Sequence, residues 1–387
     1  MKTPLARIGD LSEQVRGVSY GKQDASTEPL PGYLPVLRAG NITDDGLVFE
    51  DLVYVPAERI SSKQKVRHHD VVIAASSGSI DVVGKAAPAL ADFDGGFGAF
   101  CKVLRPKSNV HPVYFAHFFK TKDYRQRVSA LAAGVNINNL RNEHLDDMEI
   151  PIPPLTEQGW IAEMLDRAEE LRAKRRAALT QLDTLTQAIF VDMFGNPATN
   201  AKDWPRKSLK ALGKVTTGGT PPSARNGMFN GPIPFVTPGD LERDEPVKRS
   251  LTNAGAEESV TVRAGAAFVC CIGATIGKMA KAKECSAFNQ QINAVEWTSE
   301  VEDNYGLAVL RFFKPTIVAW GASTTLPILK KSLFEKIEIP VPPLPLQSEF
   351  ARRVEAIEKL KTAHCASLAE LVALFAAIQY RAFRGEL

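Results

Sequence analysis

Two stretches of the chain carry apolar residues at alternating steps of three and four. The first runs through Ile161, Met164, Ala168, Leu171, Arg175, Ala178, Leu182, Leu185 and Ile189. The second runs through Phe350, Arg353, Ile357, Leu360, His364, Ser367, Leu371, Leu374 and Ile378. This spacing predicts two coiled-coil helices of about four heptads each. Both place a polar residue, Arg175 or His364, at the same central step, which points to a shared middle layer that fixes register. At ~1.5 Å per residue, residues 157–194 predict a rod of roughly 57 Å.

The two stretches are copies. Residues 148–155 (MEIPIPPL) return as residues 337–344 (IEIPVPPL), 189 positions later and without a gap. Gln158 matches Gln347, Leu171 matches Leu360, Leu185 matches Leu374, and Phe194 matches Phe383. An internal repeat fixes architecture before any single residue is interpreted. Pro153 and Pro154, like Pro342 and Pro343, cannot continue a strand ladder and force an extended lead into each helix. Thr156 is the expected N-cap of the first helix; the second copy has Pro345 there, so its start shifts to Ser348.

The segments between the helices alternate differently. Residues 47–55 and 71–75 are rich in β-branched and apolar side chains and predict strands, the first preceded by the turn Asp44, Asp45, Gly46 and the second broken by Ser76, Ser77, Gly78. Residues 92–98 predict a loop, 99–104 a strand, and 111–130 a helix with Tyr114, Phe115, Phe118 and Phe119 at helical spacing. A polar run, 136–139, follows. Residues 200–336 repeat this plan loosely. There 209–213 echoes 5–9, 233–236 echoes 34–37, and 268–272 echoes 71–75. The expected fold class is α+β: two similar mixed α/β domains joined by two long repeated helices that form an antiparallel coiled coil with pseudo-two-fold symmetry. The expected divisions are 1–147 (first head), 148–196 (joint and helix), 197–336 (second head) and 337–387 (joint and helix). Closely copied helices between divergent heads favour a spacer carrying two different recognition surfaces.

Composition narrows this only modestly. A chain of 387 residues accommodates two or three domains, and 44% hydrophobic with 24% charged residues is ordinary for globular protein. No apolar run approaches the roughly 20 residues of a membrane span. The first residues lack a signal-peptide core. Five cysteines without C-x-x-C spacing, with Cys270 and Cys271 inside an apolar run, fit a reducing cytoplasm. A net charge of +3 permits nucleic-acid binding without demanding it.

Catalytic patterns fail on spacing. The stretch from Gly78 to Gly84 and Lys85 is one residue too long for a phosphate loop and lacks the following Ser/Thr, and the one from Gly273 to Gly277 and Lys278 is one too short. The glycine-rich run 93–98 does not sit between a clear strand and a helix. No Asn-Pro-Pro-aromatic stretch and no nuclease-like carboxylate–lysine set is present. His68 and His69 are adjacent, not helix-spaced, and so make a poor metal site. No catalytic, cofactor or metal residue is predicted.

The repeated I-P-x-P-P-L, the following glutamine, the long helix and its closing Phe194–Gly195 or Phe383–Gly385 resemble the DNA specificity subunit of type I restriction–modification systems, over the whole chain. The L-T-E-Q at 155–158 is a strong mark of that family; the second copy keeps only Leu344 and Gln347. Trp204, Pro205, Leu209, Leu212 and Gly213 look like the usual opening of the second target-recognition domain. The resemblance implies that each head reads one half of a split site in double-stranded DNA. It implies that the helices set the spacer and dock methyltransferase subunits, two of them. S-adenosylmethionine, ATP and Mg then belong to partner subunits, including restriction and translocase subunits where the system has them. With the cysteine usage and the absence of an apolar run noted above, the expectation is a cytoplasmic protein with no membrane partner.

Base edges are read by Arg, Lys, Asn and Gln, and phosphates are held by further basic and hydroxyl groups. Side chains on the polar loops that end apolar runs are the candidates. In the first head these are Arg38, Asn41, Ser76, Ser77, Lys85, Asn136, Asn138, Asn139 and Arg141. In the second they are Thr237, Asp240, Thr275, Lys278, Asn289, Gln290, Gln291, Thr324 and Lys330. For each, a turn or cap role competes. Two other readings stay open: a coiled-coil scaffold with two protein-binding heads, and the specificity module of another methylation or phage-defence system.

Overall fold

The computed structural model describes all residues except 1–2, 80, 134–138, 223–224, 244 and 323–326. They form two compact units, Met1–Arg176 with Ser367–Leu387, and Ala177–Ala366. The long helices, Leu155–Phe194 and Leu344–Ala382, each contribute one end to each unit.

The first unit is built on an antiparallel sheet with strand order Ser12–Arg16, Cys101–Pro106, Val71–Ala74, Ala86–Pro88. Val71–Ala74 is buried at every position, as a β-branched run in a covered strand should be. A smaller sheet pairs Tyr33–Leu37 with Val53–Pro56 and, in parallel, with Gly96–Phe97. Helix Pro112–Phe118 starts with proline at its first turn and buries Tyr114, Phe115 and Phe118 against Ile150, Ile161 and Leu165. Burial of one such side chain stabilises by ~1.5–3 kcal/mol, so head and helix end fold as one core.

The second unit repeats the order: Gly213–Thr217, Ile292–Trp297, Ala267–Cys270, Met279–Lys281. Its second sheet has four strands, Ser250–Leu251, Phe229–Val236, Ser286–Phe288 and Thr261–Val262, one more than the corresponding sheet of the first unit.

The two joints are alike in detail. Glu149–Pro151 pairs with Leu5–Arg7, and Glu338–Pro340 with Arg206–Ser208. One further backbone bond follows each strand, Ile152 N–H to Pro4 O and Val341 N–H to Pro205 O, before the diproline ends the ladder. Tyr114 donates its hydroxyl to Pro151 O at 2.9 Å, and Tyr305 to Pro340 O at 2.7 Å. Burial pushes both phenols far above their ordinary range. The repeated glutamines are buried. Gln158 accepts from His111 N–H (2.8 Å) and donates to Pro153 O (2.7 Å); Gln347 accepts from Glu302 N–H (2.9 Å) and donates to Pro342 O (2.7 Å). The closing Phe–Gly is mechanical too. Phe194 packs on Tyr305 and Phe383 on Tyr114, with ring centroids 4.8 and 4.9 Å apart. Gly195 and Gly385 follow at φ +78° and +67°, the left-handed conformation that ends helices without a Cβ penalty.

Several expectations need correction. The strand expected at 47–55 is two pieces, Gly46–Leu47 and Val53–Pro56, because Asn41 holds the intervening loop through Glu50 O. The helix at 111–130 is two, Pro112–Phe118 and Lys122–Ala133; the Thr121 hydroxyl bonds Phe118 O and accepts from Tyr124 N–H at the break. Leu209–Leu212 corresponds to Ile8–Leu11, three residues from the expected echo, since Leu209 N–H bonds Ile337 O as Ile8 N–H bonds Met148 O. Ala267–Cys270 corresponds to Val71–Ala74, one residue off. Both helices start directly after the diproline, at Leu155 and Leu344, so Thr156 and Ser348 lie inside the helices and cap nothing. The second long helix is, by length and composition alone, apolar enough to cross a membrane, contrary to the reading that no run approaches such a span.

The largest correction is the helix phase. The covered stripe of the first helix runs through Ile161, Leu165, Ala168, Arg172, Arg175, Leu179, Leu182, Thr186, Ile189 and Met193. That of the second runs through Phe350, Val354, Ile357, Lys361, His364, Leu368, Leu371, Phe375, Ile378 and Ala382. The heptad period holds and every second position is as expected, but the alternate ones move by one residue. Leu171, Leu185, Leu360 and Leu374 are instead 44–52% exposed. Within the first unit the Arg172 guanidinium lies 4.6 Å from the Phe375 ring centroid. Within the second, Lys361 pairs with Asp183 at 2.6 Å while Phe350 packs on Phe190 and Phe194, so the helix segments there run antiparallel.

Candidate nucleic-acid interface

In the first unit three loops meet where Val71–Ala74 ends. Ala75 and Ser76 donate their N–H groups to Phe100 O at 2.9 and 3.0 Å, and Leu140 N–H donates to Ala75 O at 2.7 Å. Ser76 and Asn139 form an isolated antiparallel bridge. Ser76, Asn139 and Phe100 therefore stand together, with Ser77 next along the chain, its hydroxyl accepting from Ser79 N–H. Arg141 is exposed at the N-cap of helix Asn142–Asp146. On the hairpin that follows Val71–Ala74, Lys85 pairs with Asp44 at 3.2 Å, which attaches the loop beginning at Arg38.

The second unit brings the equivalent backbone together. Cys271 N–H donates to Gln291 O and Leu329 N–H to Cys271 O, both at 2.8 Å, and Ile272 bridges Ile328. Asn289 and Gln291 brace one another: Asn289 Nδ2 donates to Gln291 Oε1 (3.1 Å), and Gln291 N–H donates to Asn289 Oδ1 (3.2 Å). Gln290 is exposed and accepts from the Thr220 hydroxyl at 2.7 Å. Thr275 and Lys278 lie on the hairpin between Ala267–Cys270 and Met279–Lys281, with Lys278 at the position of Lys85. Lys330 is exposed and N-caps Lys331–Phe334, as Arg141 caps its own helix.

Two candidates are loop clamps. Asn41 is buried, accepts from Arg38 N–H (2.8 Å) and donates to Glu50 O (2.8 Å), which leaves its amide engaged inside the chain. Asp240 takes the equivalent place in the second unit as an acceptor only, receiving Thr237 N–H (2.8 Å) and the Thr237 hydroxyl (2.6 Å). Arg38 donates to Asp51 O. Asn136, Asn138 and Thr324 lie outside the described residues.

The glycine–lysine stretches are hairpin loops between antiparallel strands, with Gly84 at φ +77°, Gly273 at +92° and Gly277 at +86°. A phosphate loop opens a helix, and these do not. Cys101 and Cys271 are core residues whose thiols burial pushes up to about 12, far from a nucleophile's range. Among the described residues one group, His117, Asp166 and Glu169, gathers three metal-capable donors. His117 Nε2 is hydrogen-bonded to Asp166 (2.8 Å) and Glu169 is ion-paired with Lys120 (2.7 Å), which ties the head to the first long helix.

Sequence reasoning passed over Phe100 and Ile328. The signal lay in register: setting Gly98–Ala99–Phe100 beside Asn289–Gln290–Gln291 puts an exposed aromatic where the other copy has an amide.

Residues 5–181 and 201–371 each match the family model described as the type I restriction modification DNA specificity domain. The chain is 42% identical over 177 residues to the StySPI specificity subunit of Salmonella potsdam, and 44% identical over 162 residues to the EcoKI specificity subunit of Escherichia coli. Those matches cover 46% and 42% of this chain but only 38% and 35% of the relatives. A putative specificity subunit of Methanocaldococcus jannaschii is 22% identical, covering 92% of this chain and 87% of the relative. Among solved structures, an S subunit from M. genitalium superposes with TM-score 0.64 at 15% identity, covering 98% of this chain and 96% of its own, a likeness of fold.

Proposed function

Because this chain belongs to the type I restriction–modification DNA specificity family, we propose that it is the non-catalytic, sequence-specific DNA-binding subunit of such a complex. Each head reads one half of a bipartite duplex site. The observation that carries this is the loop cluster described above: two units hold the same backbone with the same hydrogen bonds and present different side chains on it. A shared scaffold with divergent tips is what two half-sites of different sequence require, since base edges specify while backbone contacts only position. Ser76, Ser77, Lys85, Asn139 and Arg141 belong to the first surface, and Thr275, Lys278, Asn289, Gln290, Gln291 and Lys330 to the second. The helices set the number of unread base pairs between half-sites and dock methyltransferase subunits, two of them. The exposed leucines 171, 185, 360 and 374, repeated at matching positions, support a protein partner along the helices. S-adenosylmethionine, ATP and Mg are carried by the partner subunits, restriction subunits included where the system has them, and the complex works in the cytoplasm.

The test is to purify the chain alone and with its methyltransferase subunit, then exchange residues 1–147 for the head of a relative. The expected result is no methylation by the chain alone, methylation at a bipartite motif by the complex, and a change in one half-site only after the exchange. Methylation by a partner-free preparation, or a simultaneous change in both half-sites, overturns the reading.

A further inference from the structure

Phe100 and Gln291 occupy one position in the two copies. Each carbonyl accepts from the residue that follows the central strand, Ala75 N–H in one unit and Cys271 N–H in the other. Each sits two residues after a loop residue whose N–H is bonded to the end of the parallel-paired strand: Gly98 to Leu37 O, and Asn289 to Val236 O, at 2.8 and 3.0 Å. Backbones held this way present their side chains on corresponding surfaces. In the second unit that side chain is a half-buried amide whose carbonyl is oriented by the Asn289 amide. In the first it is a phenyl ring, 68% exposed, beside Ser76 and bonded to no aromatic neighbour among the described residues. An isolated exposed apolar residue is ordinary on a surface. One at the position where the other copy holds a base-reading amide has a chemical use.

We propose that this position selects a base in both half-sites, and that Phe100 does so through apolar contact with the C5-methyl of a thymine in the major groove. Among base-edge groups the thymine methyl is the one that rewards an apolar side chain, as an adenine edge rewards Gln. The inference rests on the DNA-specificity reading. Phe100 and the flanking Ser76 and Asn139 read a T·A pair and its surroundings, and Gln291 reads the corresponding step of the second half-site.

The experiment uses the complete chain with its methyltransferase subunit and a duplex carrying the motif found by methylome sequencing. Uracil, which lacks the methyl, replaces each thymine of both half-sites in turn. Loss of one buried methyl, ~0.8 kcal/mol, corresponds to roughly fourfold weaker binding. The expected result is a loss of that size at one thymine of one half-site, abolished in F100A with every other uracil effect retained. In F100L, an apolar substitute that guards against a folding defect, the sensitivity persists. Uracil effects unchanged in F100A overturn the proposal. So does uniform weakening on every sequence, which would place the ring against the backbone or between base steps. A wild-type complex that methylates no bipartite motif overturns the parent reading first, and is recognised before any variant is made.

Discussion

At each joint a buried glutamine commits both polar atoms of its side-chain amide to backbone groups. Gln158 bridges the N–H of His111 and the carbonyl of Pro153, so the start of the first long helix is fixed to the start of helix Pro112–Phe118. Replacing Gln158 by Ala strands a buried donor and a buried acceptor, at about 1–3 kcal/mol for each. The expected outcome is a lower urea midpoint with an unchanged slope, and the same for Gln347→Ala. A midpoint unmoved in either variant would show that water replaces the amide at no cost. The sequence displayed these glutamines as repeated and gave no hint of their role. Each accepts from a backbone N–H in the head, His111 or Glu302, far along the chain, a partner that no residue pattern encodes. Asn41 and Asp240 were misread for a different reason: as residue types they suit base reading and local turns alike, and only the bonds to Arg38 and Thr237 N–H identify them as clamps.

At the scale of elements, the heptad period of the helices was legible and its phase was not. Counting apolar residues drew the seam through Leu171 and Leu374. The covered positions include Arg172 and Lys361 instead, long side chains whose methylene stems lie along the stripe while their charges find Phe375 or Asp183. Neighbouring residues then have opposite consequences. Phe375→Ala removes a ring packed beside His117 and under Arg172, and should cost about 3–5 kcal/mol. Leu374→Ala, at a position 52% exposed, should stay within about 0.5 kcal/mol. Thermal unfolding of the two variants distinguishes the phases; equal losses would mean that Leu374 also lies in the seam. In the central sheets Val71–Ala74 and Cys101–Pro106 were legible as apolar runs, and Ala267–Cys270 as the echo of the first. The short parallel strands Gly96–Phe97 and Ser286–Phe288 were not, since two or three residues carry no period.

For the molecule as a whole, the proposed ruler can be lengthened. Seven residues inserted after Gln181, with seven more after Glu370, preserve the seam and turn the distal part by only ~20°. They add roughly 10 Å of helix, about three base pairs of duplex. The expected outcome is a methylated motif with both half-sites intact and a spacer about three base pairs longer. An active protein with the original spacer would remove the helices from that role. The architecture of heads and helices was readable because the chain repeats itself, while the proposed recognition surfaces were not, because their side chains, Phe100 and Gln291 among them, differ between the copies. The joints carry a further consequence, for the gene. Across each joint the clamp meets backbone: Tyr114 or Tyr305, travelling with a head, binds a proline carbonyl of the helix lead, and Gln158 or Gln347, travelling with a helix, binds a peptide N–H of the head. Neither contact depends on which side chain stands opposite. A crossover within the DNA encoding either joint would therefore keep these backbone contacts for any foreign head that brings its own tyrosine, leaving only the side-chain packing between head and helix to be matched. On the proposed function, a lineage built this way acquires a new half-site by exchanging one head.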